Sequence, residues 1–125
     1  MPVVRRSLKS KLKHPSEKEI ENSIIDTLNI LPHCKVWKNQ SAGIFDPQKK
    51  VFRKLTKYQI RGVSDILGIY RGKMLCLEVK SKTGKLTDEQ KNFLFDMELL
   101  GAITGCVRSV SDALDLLSKI DNSCK

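Results

Sequence analysis

Apolar positions along this chain switch between the period of a helix and that of a strand. After Pro15, Ile20, Ile24, Leu28 and Leu31 recur every three or four residues, which predicts one apolar helix face. Ser16, with Glu19 three residues on, is a capping box that opens this helix, and Pro32 stops it at about Leu31. Val36-Trp37-Lys38-Asn39 reads as a short strand, followed by a polar turn over Gln40-Ser41-Ala42-Gly43 and a second turn over Asp46-Pro47-Gln48-Lys49. Val51-Phe52-Arg53-Lys54 is a further short strand able to pair back. From Gly62 to Lys80, two apolar runs flank Arg71-Gly72, the pattern of a β-hairpin with a tight turn. Thr87-Asp88-Glu89-Gln90 is a second capping box, opening a helix with Phe93, Leu94, Met97 and Leu100 on its buried side and Gly101 as its stop. Ala102–Arg108 is a compact apolar strand, and Ser111–Ile120 an amphipathic helix before a frayed end at 121–125.

The element order is helix, strands, hairpin, helix, strand, helix. A helical crossover between the second hairpin arm and the strand at 102–108 makes those two strands parallel, while the hairpin is antiparallel. The expected fold is therefore α/β, a mixed β-sheet flanked by helices. A chain of 125 residues holds one domain of this kind, here expected over 15–125 behind a flexible basic arm at 1–14.

Equal steps outward from Arg71-Gly72 pair Tyr70 with Lys73 and bring Asp65 opposite Glu78, with Lys80 on the same face as Glu78. Facing side chains on paired strands have Cβ atoms roughly 5 Å apart, so two carboxylates there repel. Two readings follow: solvated charges at a strand end, salt-bridged by Lys80, or a pair of hard oxygen ligands for magnesium or manganese. Glu17 falls on the apolar stripe of the first helix one turn before Ile20, and Glu21 lies at its edge. Either could add a third acid, although by itself Glu17 is more simply a first-turn acid favoured by the helix dipole. Gln90, in the first turn of the second helix, could face the charged end of the hairpin or serve only its capping box.

Charge widens this picture. Lys and Arg number 23 against 14 Asp and Glu, a formal net charge of +9. Residues 1–13 carry Arg5, Arg6, Lys9, Lys11 and Lys13 without an acid, and residues 49–61 carry Lys49, Lys50, Arg53, Lys54, Lys57 and Arg61, again without one. Such stretches suit a surface that follows a phosphate backbone. Lys38, Asn39 and Ser41 on the loop side, and Lys82 and Lys85 beyond the hairpin, complete the candidate nucleic-acid contacts. A generic solubilising excess is the plainer alternative. Neither basic stretch has an amphipathic helical pattern, and no apolar run is long enough to span a bilayer, so no membrane partner is expected. The first thirteen residues lack the apolar core of a signal peptide. Cys34, Cys76, Cys106 and Cys124 lie far apart, with no zinc-type spacing. Cys76 and Cys106 sit in apolar runs as buried thiols, which points to a reducing cytoplasm.

Asp65, then Glu78-x-Lys80, with an acid on the preceding helix, follows the order of the PD-(D/E)xK nuclease superfamily. The surrounding residues are more specific: Gly62-Val63-Ser64-Asp65-Ile66-Leu67-Gly68, Glu78-Val79-Lys80, and Gly84-Lys85-Leu86-Thr87-Asp88-Glu89-Gln90 followed by Phe93. Together they resemble the VRR-NUC family in its small stand-alone form, common in phages and prophages. Glu17-Lys18-Glu19-Ile20-Glu21 and Asn39-Gln40-Ser41-Ala42-Gly43 are similar to that family's upstream blocks. The resemblance spans roughly Glu17–Ser109.

It implies a restriction-endonuclease-like core and a magnesium- or manganese-dependent endonuclease that cuts branched DNA, four-way (Holliday) junctions in dimeric members. Carried over by position, Asp65, Glu78 and the Val79 carbonyl would ligate metal. Lys80 would orient or help deprotonate the attacking water, Glu17 would complete the site, and Gln90 would support it. The expected partners are DNA and a second copy of the chain, with no small-molecule substrate. A nuclease acting on flaps, nicked duplex or RNA, or a catalytically silent DNA-binding module of the same fold, is the alternative.

Overall fold

The first helix, α1 (Glu17–Leu28), begins where the Ser16 hydroxyl accepts a hydrogen bond from the Glu19 amide at 3.2 Å. In the computed structural model, residues 14–40 and 57–123 are described, with two short strands at 45–46 and 51–52. α1 is shorter than the apolar stripe predicts, because Asn29 leaves it to serve a strand. The Asn29 side-chain amide donates to the Val36 carbonyl (3.1 Å) and its carbonyl accepts from the Val36 amide (2.8 Å). That reciprocal pair takes the place of a neighbouring strand at Val36, on the outer edge of β1 (Cys34–Lys38).

Short strands β2 (Phe45–Asp46) and β3 (Val51–Phe52) pair antiparallel with each other, so the strand expected at 51–54 pairs back onto 45–46, its residues 53 and 54 lying outside the described residues. The hairpin is present as β4 (Ile66–Tyr70) and β5 (Lys73–Val79), with Tyr70 facing Lys73 and Ile66 facing Leu77. Arg71 and Gly72 have φ of 50° and 84°. Both turn residues are therefore left-handed, the conformation whose twist matches the strands of a two-residue hairpin. Arg71 is held there: its amide donates to the His33 carbonyl at 2.8 Å.

Helix α2 (Asp88–Leu99) carries a complete capping box, in which the Thr87 hydroxyl accepts from the Gln90 amide and the Gln90 side chain accepts from the Thr87 amide. It returns the chain to β6 (Ile103–Val107), which pairs parallel with β5. Helix α3 (Val110–Ser123) closes the chain and runs past the expected end at Ile120. The extra turn is anchored, since Asp121 accepts from the Tyr70 hydroxyl at 2.8 Å and pairs with Arg71 at 3.3 Å.

The four-stranded sheet has the order β1-β4-β5-β6, mixed as expected. Its register places Val36, Ile66, Leu75, Leu77, Val79, Ile103 and Val107 in one cluster with Ile20, Ile24 and Leu28 of α1 and Ala113 and Leu117 of α3. Fully burying a side chain of this size contributes about 1.5–3 kcal/mol, so this face holds the fold together. The opposite face packs on α2 through Cys76, Phe93 and Leu94, with Met97 partly buried. Leu100, expected on that buried side, is 82% exposed. It lies one residue beyond the last turn of α2, just before Gly101 at φ 102° redirects the chain into β6.

Candidate active site

One end of the hairpin is where the polar side chains converge, and the positions are set by the backbone around Gly62. That residue has φ of 77°, and a Cβ on it would lie 2.4 Å from the Glu89 carbonyl oxygen. Only glycine lets the approach to β4 lie on the first turn of α2, the turn that carries Gln90. Ser64 then enters the core, fully buried, and its hydroxyl donates to the Ile66 carbonyl at 3.3 Å. Asp65 sits between this anchor and the strand, its carbonyl accepting from the Asn39 amide at 2.7 Å and its Oδ2 from the Val79 amide at 3.0 Å. The register 66–77 continues by one step to the facing pair Asp65 and Glu78, as the count across the turn predicts.

Glu78 is 2% exposed. Its Oε1 accepts from the Gln90 side-chain amide at 2.8 Å and lies 3.8 Å from Lys80 Nζ. Its Oε2 is buried with no hydrogen-bond donor. Asp65 faces Glu78 one step beyond the β4–β5 register, and the two carboxyls are compatible side by side when one of them carries a proton. Burial first, then the Asp65 charge and that close carboxyl, push Glu78 up to about 8, while Lys80 opposes the shift.

The two acids that the α1 sequence leaves open have different surroundings. Glu21 is 8% exposed and 3.8 Å from Lys38 Nζ. Burial raises its pKa, Lys38 lowers it, and the charges of Asp65 and Glu17 raise it further. Glu21 thus looks toward Asp65 from the α1 side of the sheet, as Gln90 looks toward Glu78 from the α2 side. Glu17 is exposed, and its Oε1 accepts from the Ser81 amide at 3.2 Å, so it braces the loop after Lys80. Among the described residues, no group of three or more His, Cys, Asp or Glu side chains is already arranged to hold a metal ion.

The candidate nucleic-acid contacts are dispersed. Lys82 and Lys85 are exposed on the loop beside the site, and Lys38 is half exposed while paired with Glu21. Arg61 pairs with Glu89 at 3.8 Å, and Lys57 stands 4.9 Å from the ring centre of Tyr58. Asn39 contributes its backbone amide to Asp65. Arg5, Arg6, Ser41, Lys49, Lys50, Arg53 and Lys54 lie outside the described residues. Cys76 is fully buried, and Cys34 and Cys106 are half-buried free thiols, Cys106 facing Glu78 across the β5–β6 ladder.

Arg108 is the neighbour that sequence reasoning misses. Its guanidinium donates to the Ser81 and Gly84 carbonyls, yet in the sequence it is a single basic residue ending an apolar run. No family model matches the chain, and no curated protein matches it. Among the described residues, no helix is long and apolar enough to cross a membrane.

Proposed function

We propose that this chain is a magnesium- or manganese-dependent endonuclease with a restriction-endonuclease-like core, of the VRR-NUC type, which hydrolyses phosphodiesters in branched DNA. The observation that carries this reading is Glu78. A buried carboxyl with one oxygen lacking any donor, facing a second carboxyl, is a costly arrangement for structure alone. The cost is removed if a divalent cation lies between them. The donors fit such an ion: Asp65, Glu78 and the Val79 carbonyl are hard oxygens, and Glu21 or Glu17 adds a third acid from α1. A cation held there would lower the pKa of its bound water and stabilise charge on the phosphorus centre.

The protein's own groups have defined parts in this reading. Gln90 orients Glu78 through Oε1, leaving Oε2 for the ion. Lys80, beside Glu78, offsets negative charge as the phosphate is attacked. Glu78 must give up its proton before it can ligate, so binding of the ion releases a proton near neutral pH. The net charge of +9 and the exposed Lys82 and Lys85 suit a polyanionic substrate. Two symmetric cuts across a four-way junction call for two active sites, hence a homodimer. The half-buried and buried free thiols suit a reducing cytoplasm.

A panel of synthetic four-way junctions, flaps, nicked duplex and RNA, incubated with magnesium, tests the reading. Cleavage is expected on the junction and is lost in Asp65→Ala, Glu78→Ala and Lys80→Ala variants that still fold. Undiminished cleavage by all three variants sinks the site. Salt-sensitive DNA binding with no cleavage in magnesium or manganese leaves a silent binding module instead.

A further inference from the structure

Arg108 follows β6, and its guanidinium reaches back to the loop after Lys80. Nη1 donates to the Ser81 carbonyl and, at 2.7 Å, to the Gly84 carbonyl. The Gly84 amide itself donates to the Ser81 carbonyl at 3.2 Å. Residues 81–84 therefore form a closed turn whose two ends are both held by one nitrogen. Arg108 is fixed in its own right, since its amide donates to Asp112 Oδ2 at 3.0 Å in the first turn of α3.

This turn touches the carboxylate site at two points. The Ser81 amide donates to Glu17 Oε1 at 3.2 Å. A Cβ on Gly84 would lie 3.2 Å from Glu17 Oε1 and 3.4 Å from Lys80 Cδ. Gly84 thus lies against the aliphatic stem of Lys80, whose backbone amide is in turn bonded to the Val107 carbonyl at 3.1 Å. The stem of Lys80 meets this turn at Gly84, while its ammonium group lies 3.8 Å from Glu78.

We propose that Arg108 is a positioning residue for the Asp65–Glu78–Lys80 site: its guanidinium clamps the 81–84 turn against Lys80 and Glu17 and so aims the Lys80 ammonium group at Glu78. Its effect on turnover rests on the nuclease reading; its effect on the loop does not. A lysine at 108 would keep the charge but lose the rigid planar group that fixes the two Nη1 N–H donors toward the two carbonyls.

Full-length Arg108→Lys and Arg108→Met variants decide this in two measurements. Without metal, the Ser81 and Gly84 amides, the hydrogen-bonded ones of this turn, are expected to exchange with solvent at least about tenfold faster in both variants, while Leu75 and Leu77 in the sheet stay protected. With magnesium and a DNA that the wild type cleaves, kcat is expected to fall about tenfold or more in both, with KM changed by less than about twofold. Unchanged exchange at Ser81 and Gly84 in both variants overturns the clamp whatever the activity. Lysine restoring full kcat, with only a raised KM in the methionine variant, overturns it as well, since Arg108 is then a phosphate contact. If the wild type cleaves no DNA, the exchange measurement still decides the clamp and only the nuclease reading fails.

Discussion

The two faces of the four-stranded sheet differ in what they bury. The face under α1 and α3 is a continuous apolar cluster from Ile20 to Leu117, with Ile24, Leu28, Ile66, Leu75 and Leu77 wholly buried. Among the described residues, the face under α2 buries Cys76, Phe93 and Leu94 as a cluster, and beside them Glu78. Glu78 and Leu77 are adjacent on β5 and equally hidden, yet one lies in dense hydrocarbon and the other among a carboxyl, an amide and an ammonium group. The lesson is a division of labour: a strand whose one side supplies cohesion can hold a strained polar group on its other side without unfolding.

The largest expected effect separates the faces by stability. Leu77→Ala removes a fully buried side chain from the cohesive face and should lower unfolding free energy by about 2–5 kcal/mol in urea titration. A loss below about 1 kcal/mol would break the contrast. Next, Glu78→Gln should reduce metal-dependent cleavage at least about a hundredfold while leaving the urea midpoint equal or higher, because glutamine resembles the protonated carboxyl that this site prefers.

The same residue predicts a pH dependence. Its folded pKa of about 8 stands above the ordinary 4.5, so between those values the folded state keeps a proton that the unfolded state has lost. Glu78's contribution to stability therefore falls as pH rises from 4.5 to 8 and is level outside that window. The urea midpoint followed across this range should slope down in the wild type and less in Glu78→Gln. Magnesium should stabilise the wild type more at the upper end. Equal slopes in the two proteins would remove Glu78 as the cause.

A smaller effect sharpens the α2 side. Gln90→Glu keeps an acceptor for the Thr87 amide but removes the donor to Glu78 and adds a third carboxyl. It should cost about 1–2 kcal/mol near pH 8 and less in mildly acidic solution, measured by urea titration at both. Smallest of all, Glu89→Gln breaks an exposed pair with Arg61 and should change stability by no more than about 0.5 kcal/mol. A larger loss would mean that the Gly62 approach to α2 depends on that pair.

Much of this arrangement is legible in residue order, where the interactions are local. Ser16 and Thr87 cap their helices as read, and the Arg71-Gly72 turn sets a register that carries Asp65 to Glu78. Gln90 proves to do both of the things left open for it, capping α2 through Oε1 and holding Glu78 through Nε2. The readings that shift depend on distant partners. Asn29 leaves the helix to bind Val36, Leu100 turns outward at Gly101, and Asp121 extends α3 because Tyr70 and Arg71 await it. None of these contacts has a periodic signature.

The sequence by itself determined the helices, the hairpin register and the pairing of two acids with a lysine, because each follows from spacing, capping or turn chemistry within a few residues. Only the tertiary structure decided that Glu78 is buried with an oxygen left over, that Glu21 is hidden near Asp65 while Glu17 braces the loop, and that Arg108 reaches that loop. Burial and electrostatic fields depend on what packs around a group, and those neighbours come from helices and strands far away along the chain.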